Sequence, residues 1–183
     1  MDINAAQLEM RDSYLRGGPG AIVSGIVWLI AGVVGNNSGI PTAFAALFFG
    51  GMLIAPLSTL IVRAVFRREP PKRSNQGSLT VMETTFPMIG GLVAAWLMLP
   101  FRPDIVFALA AMAVGTHYFG FRTAYGDWTY WILGGTLVAI GCSSIFFGAP
   151  SAYITPFLVS VTEVVFGIWL TQKSVVRDKQ PQL

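Results

Sequence analysis

Cysteine and histidine are nearly absent from this sequence, with one of each, Cys142 and His117, in 183 residues. A single thiol excludes an intramolecular disulfide, and a single imidazole leaves few catalytic or metal-ligating combinations. Charge is scarce as well, at 11% of residues against roughly a quarter in ordinary soluble domains. Because 54% of the residues are hydrophobic, a soluble fold of this length could not hide its apolar surface. No H-E-x-x-H, C-x-x-C, phosphate-binding glycine loop or G-x-S-x-G occurs. Ser24-Gly25 resembles the serine of intramembrane proteases, but the glycine expected two places earlier is Ile22. Haem would lack a second histidine ligand. No cofactor and no metal are therefore expected. The net charge of +3 is small, so nucleic acid is not an expected partner.

What the chain has is long apolar runs, over residues 19–35, 41–62, 81–99, 104–121, 128–147 and 151–171. A spanning helix uses about 20 residues, so six spans with short connections nearly fill a single membrane domain. The fold expected is an all-α bundle of six transmembrane helices covering 19–171. Segment 1–18 carries Asp2, Glu9 and Asp12 where a secretory leader would be basic, so no cleaved signal is expected. Ile3, Ala6, Met10 and Tyr14 recur at helical spacing there, which suits a short amphipathic helix on the cytoplasmic surface.

Basic residues resist translocation and collect on the cytoplasmic side. Eleven of the 12 fall in the N-terminal segment, the loop 63–80, the turn at Arg122 and the tail 172–183. Only Arg102 falls in the alternate turns. This assigns both termini to the cytoplasm. The loop 63–80 carries Arg63, Arg67, Arg68, Lys72 and Arg73, and its natural partners are anionic lipid headgroups.

Small residues let helices approach closely in lipid. Gly18, Gly25 and Gly32 recur at a spacing of seven, and Gly51 with Ala55 and Gly91 with Ala95 form small-xxx-small pairs. They read as packing faces, in keeping with a homo-oligomer or a tight bundle. Pro56, Pro87 and Pro156 fall inside the expected spans and would kink them or free backbone carbonyls.

An ionised group in hydrocarbon costs several kcal/mol and is retained for pairing or function. Glu83, His117 and Glu163 are the ionisable residues in question. At about 1.5 Å per residue, His117 and Glu163 fall roughly 18–21 Å below the outer face, with Glu83 nearer the cytoplasmic boundary. Arg122, Tyr118 and Tyr125 would border the cluster, supplying a cation and phenols to the carboxylates. Two uses are open. Glu163 and His117 could face water and exchange protons or hold a cation, or the network could fix how the fourth and sixth spans pack.

Three stretches carry a resemblance: Arg16-Gly17-Gly18 through Gly35, Phe48-Phe49-Gly50-Gly51-Met52 leading to Pro56, and Arg122 to Leu133 with Thr123-Ala124-Tyr125-Gly126. In these the chain resembles an uncharacterised family of small bacterial six-helix integral membrane proteins. The resemblance implies a bacterial inner-membrane location and carries no activity. The function expected from the residues is transport or binding of a small solute or ion, proton-coupled through Glu163 and His117. The alternative is a non-transporting accessory or scaffold protein, with an intramembrane enzyme less favoured.

Overall fold

The computed structural model describes residues 2–178, and among these residues the regular structure is entirely helical. Helix α1 (Ile3–Tyr14) is joined by a 3-10 turn to α2 (Gly18–Ser38); α3 (Ile40–Gly51), α4 (Ile54–Ala64), α5 (Gln76–Met98), α6 (Val106–Tyr125), α7 (Thr129–Phe147) and α8 (Thr155–Asp178) follow. Among the described residues five helices are long and apolar enough to cross a membrane, and α3 with α4 makes a sixth crossing if the bent pair counts as one. Each expected span has its counterpart. The last expected span stops at residue 171, but α8 runs to Asp178, so the first part of the expected tail is helix. Lys179 and the rest of that tail lie outside the described residues.

The second span is broken, with α3 and α4 meeting at 46°. The local sequence explains the break. Gly50-Gly51 ends α3 with residues that favour helix weakly, and Pro56 falls in the first turn of α4, where its missing N–H costs nothing. Pro156 likewise sits in the first turn of α8 and kinks nothing, leaving Pro87 as the internal proline of a continuous helix.

Glycine sets the helix contacts. A Cβ at Gly18 would stand 2.6 Å from the Gly167 carbonyl oxygen, one at Gly25 would stand 2.9 Å from that of Ser160, and one at Gly32 would meet the Phe157 ring at 2.9 Å. The seven-residue spacing is thus the α2 face that seats α8, the most extensive pairing in the bundle. A second seam joins α6 and α7, where Gly115 and Gly134 lie against each other's carbonyls and Gly141 lies against that of Ala108. A Cβ at Gly91 would meet Ala113 on α6 at 2.7 Å, as at a packing glycine. Gly51 differs: a Cβ there meets nothing within 4 Å, so its pairing with Ala55 is not a helix contact.

Helix α1 is seated on one end of the bundle. Ala6 and Met10 are buried, Gln7 Nε2 donates to the Thr123 carbonyl at 2.9 Å, and Arg11 donates to the carbonyls of Tyr125 and Gly126. Gly126 caps α6 at φ +61, where a side chain would be strained and would run into Gln7. The 65–75 loop is tied to the same end. Asn75 Nδ2 donates to Glu9 Oε2 at 2.6 Å and to the Ala6 carbonyl at 3.1 Å, while its Oδ1 caps α5 by accepting from Gly77 N–H. Arg11, Arg16, Lys72, Arg122 and Lys173 therefore gather at one end, and Arg102, paired with Asp104 at 2.8 Å, stands at the other.

Candidate polar site and cavity

Helix α8 carries Glu163 into the junction with α2 and α6, where the side chain is 0% exposed. Tyr118 Oη of α6 donates to Glu163 Oε1 at 2.8 Å. Ser24 of α2, on the glycine-bearing helix that brings the backbones close, interacts with both groups. The second carboxylate oxygen, Oε2, is buried with no hydrogen-bond partner. A polar atom in that condition is expensive to bury, so a purely structural role leaves it unexplained.

A cavity of about 540 Å³ lies beside this pair, between α2, the α3–α4 bend, α5 and α6. Ser24 and Tyr118 belong to its wall, and they stand between the cavity and Glu163. His117 is also on the wall, edge-on to Phe121 with ring centroids 4.6 Å apart. Its ring lies by the Thr84 backbone of α5, and its Nδ1 is buried without a partner. The remaining wall is mostly apolar, and no Asp, Glu, Lys or Arg contributes to it.

Of the six residues expected to cluster, the structure brings Glu163 and Tyr118 into contact and sets Tyr125 and His117 on the same cavity wall. His117 and Glu163 share no hydrogen bond or ion pair, because successive residues on a helix point about 100° apart. Tyr118 faces α8 and His117 faces α5. Glu83 is exposed on α5 and joins no cluster. Arg122 pairs with neither carboxylate, and its guanidinium lies over the Trp128 ring at 5.3 Å.

Sequence reasoning missed two groups. Tyr130 of α7 stacks on Tyr125 at 5.4 Å and on Tyr118 at 5.9 Å, and its hydroxyl donates to the Arg16 carbonyl. The second group is centred on Asp127, in the α6–α7 turn, which is 6% exposed. It receives Arg16 Nη1 at 2.6 Å and Lys173 Nζ at 3.1 Å, and Oδ1 accepts from the backbone and hydroxyl of Thr129. Burial pushes its carboxyl up, but the Thr129 hydrogen bonds and the Lys173 ammonium outweigh that and hold it at about 2. The Asp127-x-Thr129 sequence ahead of an apolar run was a legible helix-start signal. Nothing local announced that Arg16 and Lys173, more than forty residues away on either side, would meet it.

These features define a class: an all-helical protein of membrane-span dimensions, with a buried acid–phenol pair behind the wall of an apolar cavity. The chain belongs to a family of unknown function (DUF7010), whose model matches residues 3–173. None of the curated proteins and none of the solved structures compared with it matches.

Proposed function

We propose that this chain is a six-span bacterial inner-membrane protein, with both termini in the cytoplasm, that binds a small solute in the α2–α6 cavity and passes it across the bilayer. The membrane placement is supported by the apolar helices. The orientation is supported by the basic residues gathered at one end of the bundle. Reporter fusions at Asn37, Gln76 and Gly148 test it: the expected cytoplasmic signal comes from Gln76 alone, and one from Asn37 or Gly148 would reverse the orientation. On the cytoplasmic side the exposed Arg63, Arg67, Lys72 and Arg73 would meet anionic headgroups.

The observation that carries the solute reading is the cavity backed by the Tyr118–Glu163 pair. A carboxyl group retained so far from water, with one oxygen unpartnered, is a group available for proton exchange when a bound solute rearranges Tyr118 or Ser24. That is how solute movement would be coupled to protons. The test is flux in proteoliposomes across a panel of small solutes, with and without a pH gradient. Glu163→Gln keeps an oxygen to accept from Tyr118 and so should fold, with the melting temperature close to wild type, while gradient-driven flux falls to the level of empty liposomes. If Glu163→Gln transports like the parent, the carboxyl group has no part in the cycle.

One observation favours the accessory reading instead. Only Gly77 and Ala95 of the 23-residue α5 are buried and 11 of its residues are exposed, so the face turned away from α6 is free for another membrane protein or a second copy. Co-purification with a larger complex, together with no flux in isolation, would favour it.

A further inference from the structure

We infer that the cavity takes an uncharged amphiphile, an apolar chain ending in a hydroxyl-type group that donates a hydrogen bond to His117 Nε2, and that this molecule arrives sideways from the membrane between α4 and α5. The inference rests on the membrane placement and cavity reading above and specifies the ligand.

The wall composition decides charge. With no Asp, Glu, Lys or Arg side chain on it, a charged ligand would lose its hydration and find no permanent counter-charge, a loss of several kcal/mol. An apolar body suits the surface contributed by Trp28, Phe48, Met88 and Leu92. About 540 Å³ also falls within the 300–1,000 Å³ usual for small-molecule pockets. The hydroxyl side chains are less available than they look: Ser58 and Thr85 already donate to the carbonyls of Ala55 and Val81. His117 is different. A neutral imidazole presents one donor and one acceptor; Nδ1 is buried and the ring lies by the Thr84 backbone, which leaves Nε2 as the nitrogen with surface on the cavity wall.

The packing decides the route. Helix α4 rests on α2 and α5 rests on α6, with the cavity between α4 and α5. Ala55 and Ile89, on the two sides of that gap, are both wall residues and both exposed. In a bilayer this mouth faces acyl chains, which already hold amphiphiles at the required depth.

The test uses the full chain in nanodiscs and a dodecan-1-ol carrying a mid-chain diazirine. Photolabelled residues are mapped by mass spectrometry, and the same chain ending in trimethylammonium or sulfonate serves for comparison. The expected result is saturable labelling of α4 and α5 wall residues by the alcohol, competed by excess dodecanol, with little specific labelling by either charged chain. Losing one neutral hydrogen bond in His117→Ala should weaken competition by about two- to twelve-fold, and His117→Gln, whose amide reaches the Nε2 position, should restore most of it. Gly51→Leu, where a Cβ meets nothing within 4 Å, fills the cavity and should abolish saturable labelling while the melting temperature holds. If that variant does not elute as a single species, Ala55→Leu fills the same space from α4. Labelling that does not saturate, that survives both cavity-filling variants, or that is equal for the charged chains overturns the inference. Saturable labelling without flux of any solute would leave the ligand assignment standing and remove transport. Solute flux without such labelling would do the reverse.

Discussion

Gly18→Leu should abolish the native bundle, the largest effect expected of any single substitution in this chain. A Cβ at that position would lie 2.2 Å from Thr171 Oγ1, 2.6 Å from the Gly167 carbonyl oxygen and 2.7 Å from the Thr171 amide. The last two are backbone atoms of α8 and cannot swing aside as a side chain can. Overpacking a core costs about 1–3 kcal/mol when neighbouring side chains can yield. Here α8 must move as a body, so the cost should exceed that range. Close approach is what holds helices together in lipid, because the hydrocarbon around them is as apolar as their own side chains. The measurement is size-exclusion elution and thermal melting in detergent. Gly18→Leu should elute as aggregate or melt far below wild type. Gly135→Ala, where an added Cβ meets nothing, should melt at the parent's temperature.

Asp127→Ala should be the second most damaging change. It leaves Arg16, 7% exposed, without its carboxylate and removes the acceptor of the Thr129 amide and hydroxyl ahead of α7. Breaking a fully enclosed pair costs roughly 3–5 kcal/mol. The Lys173 side chain is 43% exposed, so its share of the loss is small and the total should fall near the lower figure. The pH dependence has a definite sign. The folded carboxyl group is held near 2, below its unfolded value of about 3.9. The stability it contributes is therefore complete above the unfolded value and is lost as pH falls towards 2. Melting temperatures of the wild type measured from pH 6 down to 3 should decline more steeply than those of Asp127→Asn. Parallel curves would mean that the turn is held by something other than this ion cluster.

The spans were legible because composition and run length alone decide them, and the α2–α8 seam was legible because three glycines repeat at seven. The break at 52–53 was half written: the Gly-Gly pair and Pro56 were visible, but a bend and a single kinked span share that signature. The expected depth of Glu163 assumes a span that begins at residue 151, whereas α8 starts at Thr155 after a turn. The larger gap concerns direction. Which neighbour Tyr118 or His117 faces depends on how α5, α7 and α8 are arranged around α6, and an almost uniformly apolar helix carries little periodicity from which to read it. For the same reason nothing in the sequence told which way Glu83 or Glu163 would face, yet one is exposed on α5 and the other is enclosed in the bundle.

That contrast between the two glutamates is the part of the account most directly open to measurement. A lipid-soluble carbodiimide, applied to the intact protein in nanodiscs and followed by peptide mass mapping, reacts with carboxyl groups that the membrane phase can reach. Glu83 should be modified and Glu163 should be protected until the protein is unfolded. Modification of Glu163 at a rate comparable to Glu83 would place it at the lipid surface and dissolve the site built around it.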